Sequence, residues 1–196
     1  MSRACLYPKR IAPARSARGF TLIELMVTVS LIAILLGIGV PAMRTFLVNS
    51  AVSNLGNEFL LGASYSRAEA ISRNQCVTMC ITADPSAAAP VCNGAGSDWN
   101  AGWIIFSNPK CDNVATDATA ELLKIYLGDP SVATMPVSGN LRTLRYDSRG
   151  MMPSLAPVSL ALGPKGLTAT RTMCIDAAGR ARIANTGSTL CSDQSN

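Results

Sequence analysis

From Leu22 to Val40 the chain runs through nineteen residues that are nearly all apolar, and the third of them is Glu24. A helix of that length, at about 1.5 Å per residue, crosses the hydrocarbon of a bilayer. An ionised side chain inside such a helix costs roughly 2.5–3.5 kcal/mol even on lenient insertion scales, so it persists where it has a partner or a task. Glu24 therefore needs a cation. Arg15 and Arg18 are the nearest in sequence and lie on the cytoplasmic side under the positive-inside rule. A cut between Gly19 and Phe20 would create another, a new α-amino group four residues before the carboxylate. The apolar run exceeds the ~7–15 residues of a secretory signal core, and no small-x-small site follows it, which argues against an ordinary cleaved signal.

The stretch RGFTLIELM, residues 18–26, resembles the class III signal of type IV prepilins and pseudopilins: a basic leader ending in Gly, cleavage before Phe, and Glu at the fifth place of the mature chain. The resemblance implies that a prepilin peptidase of the inner membrane cuts after Gly19 and methylates the amine of Phe20. It also implies that Glu24 is an assembly contact, pairing with a subunit's N-terminal amine as subunits enter a filament. The expected organisation is a cleaved leader at 1–19, a transmembrane and assembly half-helix at 20–40, an amphipathic half-helix at 41–73 and a head at 74–196.

The formal charge of +5 divides unevenly. Arg3, Lys9, Arg10, Arg15 and Arg18 belong to the leader, which has no acid, so twelve basic and twelve acidic residues remain and the mature chain is neutral. Seven basic residues nevertheless fall between Arg142 and Arg182 (Arg142, Arg145, Arg149, Lys165, Arg171, Arg180, Arg182) against Asp147 and Asp176, an excess able to attract a polyanion. Without Cys5 of the leader the seven cysteines become six, an even number in a head that the positive-inside rule places in the periplasm, so disulfides are expected. Cys80 and Cys92 bracket the loop ADPSAAAPV, Cys174 and Cys191 would fasten the C-terminal tail, and Cys76 and Cys111 pair by elimination. A zinc site is disfavoured, because Cys76-x3-Cys80 lacks a second tight pair and the chain has no histidine.

Pro41 removes a backbone donor and is expected to bend or loosen the helix without ending it. Beyond it Leu47, Ala51, Leu55, Phe59, Ala63, Ser66 and Ala70 recur at steps of three and four, with Arg44, Glu58, Arg67 and Arg73 off that stripe. A helix from Phe20 to about Arg73 would be roughly 80 Å long. After Asn74 the period changes to two and turn residues multiply. Strands are expected at 76–82, 102–107, 121–127, 141–147, 158–162, 170–176 and 180–183. YDSRGM (146–151) and IDAAGR (175–180) share the order apolar, Asp, small, x, Gly, and both read as β-hairpin corners. SDWNAGWIIFSN, with Trp99 and Trp103 around Gly102, and AEAISRNQ before the first strand resemble the FimT/GspH group of minor pilins. The fold expected is α+β, pilin-like: a long N-terminal transmembrane helix packed on an antiparallel two-sheet β-rich head.

The composition leaves no enzyme to propose. Without histidine there is no Ser-His or Cys-His nucleophile pair, and no glycine-rich phosphate loop has the usual spacing, so neither cofactor nor metal is expected. One motif remains, Gly179-Arg180-Ala181-Arg182. If Gly179 closes a hairpin, Arg180 and Arg182 project from one side about 6–7 Å apart, comparable to successive phosphates on one strand. Arginine forks bind phosphates without sequence preference. In the FimT branch, competence-linked members are associated with DNA uptake through a Gly-Arg-x-Arg motif, and this sequence matches it at every fixed position; a hairpin glycine flanked by solvated arginines is the other reading. The resemblance implies a structural subunit of FimT or FimU type that primes or caps a type IV pilus together with other minor pilins and the major pilin. It would sit first in the inner membrane with its head in the periplasm and then at the filament tip, with double-stranded DNA as a candidate ligand. The alternative is a type II secretion system pseudopilin H acting in protein secretion.

Overall fold

The computed structural model describes residues 19–112, 120–152, 158–176, 178–184 and 191; of the leader expected at 1–19, residues 1–18 lie outside that set. Helix α1 runs Leu22–Arg73 and continues through Pro41. The chain divides into two compact units, one ending at Met43 and the other beginning at Arg44.

In the first unit every helical side chain is exposed. The most apolar window of α1 has a mean hydropathy of 2.4, long and apolar enough to cross a membrane. The helix begins at a cap that its own sequence supplies: the hydroxyl of Thr21 accepts the backbone N–H of Glu24 at 3.2 Å. Thr21-x-x-Glu24 is the spacing of a capping box.

In the second unit α1 buries Val52, Leu55, Gly56, Phe59, Gly62, Ala63, Ser66 and Ala70. Leu47, expected on the same stripe, is 56% exposed, because the covered face starts only at Val52. Beyond it stand two four-stranded sheets, both antiparallel throughout. The first has the order β3 (Leu122–Tyr126), β2 (Trp103–Asn108), β1 (Cys76–Ile81), β5 (Thr143–Tyr146). The second has the order β4 (Ala133–Thr134), β6 (Val158–Pro164), β7 (Arg171–Ile175), β8 (Ala181–Ala184). Strand β4 is unanticipated, since two residues are too few to display an alternation.

One core joins the helix to both sheets: Phe59 and Ala63 from α1, Val77, Met79 and Leu144 from the first sheet, Leu160, Met173 and Ile175 from the second. Phe59 meets Trp99 and Trp103 edge-on at 5.1 and 5.6 Å, and Trp103 stacks on Tyr126 at 3.7 Å. The two tryptophans are thus core aromatics, and Trp99 Nε1 donates to Leu141 O at 3.0 Å. The first sheet carries a second cluster of Cys80, Ile104 and Phe106 with half-buried Cys92 against it. Strands β1 and β2 are therefore buried on both faces and read as near-continuous apolar runs.

Three disulfides, Cys76–Cys111, Cys80–Cys92 and Cys174–Cys191, join cysteines with Cα atoms 5.2, 5.5 and 5.4 Å apart. The spacings suit unforced bridges.

Candidate functional site

The arginine motif stands on the corner between β7 and β8. Asp176 opens it: its N–H donates to Arg180 O at 3.1 Å and its carbonyl accepts from Gly179 N at 2.9 Å. One carboxylate oxygen takes the N–H of Arg180 at 2.9 Å, while the other takes its Nε at 2.8 Å. Gly179 closes the turn at φ +75°. The other Asp-Gly corner is built alike, with Asp147 N donating to Met151 O, Gly150 N donating to Asp147 O, and Gly150 at φ +72°. It is not a hairpin, however: β5 pairs with β1, and the next strand, β6, belongs to the other sheet, so this corner carries the chain between sheets.

The two corners abut. A Cβ on Gly179 would lie 2.7 Å from Gly150 O and 2.7 Å from Tyr146 Cε1. Arg67 of α1 ties itself to the same place, its Nε donating to Gly150 O at 2.9 Å. Between helix and hairpin lies a cleft of about 310 Å³ lined by Ser64, Arg67, Ala68, Ile71, Gly179, Arg180 and Ala181. No local signal links Arg67 to this motif, because the pairing of helix and corner is set by tertiary packing.

Register places Arg182 opposite Cys174 and Ala181 opposite Ile175. Ala181 and Ile183 pack on the core, so Arg180 and Arg182 share the outer face of the second sheet. The Arg180 side chain is 71% exposed despite its pairing with Asp176. Arg182 is exposed, and its Nη2 donates to Cys191 O at 3.1 Å. Burial pushes the Asp176 carboxyl upward, but the N–H and guanidinium of Arg180 outweigh it and hold it below the ordinary carboxylate range. Burial raises the Tyr146 hydroxyl far above its ordinary value, against the opposing effect of Arg67.

The other basic residues do not all gather here. Arg142 Nε donates to Gly96 O and Arg145 Nη1 to Cys111 O, so both hold loops of the first sheet. Arg149 sits on the neighbouring corner, and Lys165 is on the turn after β6. At the other end of the chain Gly19, Phe20 and Glu24 are exposed, Phe20 by 82%. The Thr21–Glu24 cap was legible as a T-x-x-E signal and gives Glu24 a local role, since a carboxylate in a first helical turn is favoured by the helix dipole.

Residues 55–179 match the family described as type II transport protein GspH, and residues 14–40 match the prokaryotic N-terminal methylation motif. Prepilin peptidase-dependent protein D of Escherichia coli (strain K12) is 49% identical over 43 residues, covering 22% of this chain and 30% of that protein. A crystal structure of the type IV minor pilin FimU from Pseudomonas aeruginosa (strain PAO1) in space group P65 superposes with a TM-score of 0.51 at 19% identity, over 73% of this chain and 97% of that one. The same protein in space group P21 gives a TM-score of 0.53 at 19% identity, over 77% and 98%. These two likenesses concern the fold.

Proposed function

This chain belongs to the GspH family and is a minor pilin or pseudopilin, and from that premise we propose that it is a structural subunit at the tip of a type IV pilus whose head also holds double-stranded DNA. It does no catalysis; its work is assembly and binding. The prepilin peptidase cuts between Gly19 and Phe20, so that residues 1–19 are lost, 20–40 anchor and then assemble the subunit, 41–73 carry the amphipathic half-helix and 74–196 form the periplasmic head. Before assembly the subunit is anchored in the inner membrane by a single span. Glu24 then meets the N-terminal amine of a subunit, an ion pair that makes the carboxylate tolerable in an apolar filament core. Neighbours are other minor pilins and the major pilin.

The observation that carries the DNA reading is the placement of Arg180 and Arg182 on one exposed outer face, with Gly179 shaping the corner between them and Asp176. Cations in that arrangement meet phosphates and leave base sequence unread. The test is duplex binding by the full chain in nonionic detergent against the Arg180→Ala/Arg182→Ala variant. Each phosphate contact contributes about 0.9 to the slope of log affinity against log salt, so the double variant should flatten that slope by about two, with equal affinities for unrelated sequences. The second reading, a pseudopilin H of a type II secretion system acting in protein secretion, is favoured by the description of the matched family. Equal binding by native and variant chains would assign the corner to hairpin structure and favour secretion.

A further inference from the structure

We propose that Arg67, on the helix and 113 residues before Arg180, is a third phosphate-binding residue, and that the cleft between α1 and the β7–β8 corner seats one phosphate of the nucleic-acid backbone. The proposal rests on the DNA reading above and adds to it a residue outside the Gly-Arg-x-Arg motif. Arg67 and Arg180 line the same cleft. Each is anchored by its Nε alone, Arg67 to Gly150 O at 2.9 Å and Arg180 to Asp176 at 2.8 Å. Among the described residues neither guanidinium commits its terminal Nη groups to a partner, and no carboxylate pairs with Arg67. A guanidinium fixed through Nε offers its remaining N–H groups already oriented, which is the form in which arginine binds an oxyanion at least entropic cost.

The charge of the lining points to an anion. Among the described residues two arginines and no carboxylate line the cleft, and Asp176 pairs with Arg180 from outside that lining, so a single phosphodiester charge offsets the positive charge that remains. A backbone phosphate fits better than an isolated acidic side chain because the nucleic-acid chain can continue past the corner toward Arg182, two residues along β8.

The experiment measures the affinity of the full chain, in nonionic detergent, for a random-sequence duplex between about 50 and 200 mM salt. Arg67→Gln should lower the salt slope by about 0.9, Arg67→Lys should restore the slope while binding more weakly than the native chain, and Arg180→Ala/Arg182→Ala should lower it by about two. Both Arg67 variants lose the Nε contact to Gly150, so equal losses in slope from the two would make Arg67 a structural residue and overturn the inference. A native slope in Arg67→Gln, with the double arginine variant impaired, would overturn the inference and leave the DNA reading standing. Unchanged binding in all variants, or none by the native chain, would remove both.

Discussion

Replacing Gly179 by alanine tests whether the motif's glycine is needed by the fold or by a ligand. Gly179 has φ +75°, where an L side chain costs roughly 1–2 kcal/mol. The added Cβ would also lie 2.7 Å from both Gly150 O and Tyr146 Cε1, a backbone oxygen and a fully buried ring, neither of which can swing aside. Overpacking of that kind typically costs about 1–3 kcal/mol, so Gly179→Ala should destabilise the head by roughly 2–5 kcal/mol. Gly139 supplies the control, because it has φ +57° and nothing within 4 Å of its Cβ direction. Gly139→Ala should therefore cost only the conformational part, about 1–2 kcal/mol. Guanidinium unfolding of the full chain in detergent, followed by the fluorescence of buried Trp99 and Trp103, measures the difference. If Gly179→Ala proves no more costly than Gly139→Ala, the close approach of the two corners is wrong. If the predicted gap appears without DNA present, loss of DNA binding in Gly179→Ala cannot be read as a lost contact.

Acid should weaken the head below about pH 4. Asp84 and Asp129 are held below the ordinary carboxylate range chiefly by the hydroxyls of Ser86 and Ser131, and Asp176 is lowered by Arg180 against its own burial. Depressed folded-state values stabilise above the unfolded value and lose that contribution as pH falls through the folded one; an unfolding midpoint that stays flat from neutral pH to about pH 3 would contradict this. Reducing the three disulfides should lower the melting temperature, each bridge contributing roughly 2–4 kcal/mol, and opening Cys174–Cys191 should raise amide exchange in β8 more than in β1. Intact mass of the membrane-extracted chain should show loss of residues 1–19 and a methylated Phe20, and retention of Met1 to Gly19 in assembled material would defeat the processing proposal. Glu24→Ala should insert normally and fail to enter filaments, whereas normal incorporation would leave Glu24 with its cap alone.

Much of the fold was legible because its signals are local. The apolar run, the resumption of helical spacing after Pro41, and the switch to period two after Asn74 fix α1 and seven of the strands to within a few residues. What escaped was set by contacts distant in sequence. Leu47 has the right spacing for the buried stripe, yet it is 56% exposed, and no helical period reveals where a sheet begins. Gly56 and Gly62 are not part of the apolar stripe that the spacing shows, yet both are buried: a Cβ on Gly62 would lie 3.2 Å from Trp103 Nε1, so the helix approaches the sheet where its side chains are missing. The likeness of the two Asp-Gly corners was visible as text, but not that one hands the chain to the second sheet.

The arginine motif shows why a match in residue types cannot assign a role. Each of its fixed positions has a structural occupation: Gly179 permits the approach of Gly150 and Tyr146, Arg180 closes the turn on Asp176, and Arg182 reaches Cys191 O at the disulfide that holds the tail. Those occupations would preserve glycine and two polar partners in a protein that never meets DNA. They do not require arginine, because an Nε or a single Nη donor is all that each contact uses, and lysine or glutamine could supply one donor at either place. The parts left over, among the described residues, are the uncommitted Nη groups of Arg180 and of Arg67 and the charge of Arg67. Only a ligand that binds by forked donors and positive charge distinguishes arginine from a generic donor at these positions, which makes the salt slope, rather than stability, the measurement that separates corner from interface.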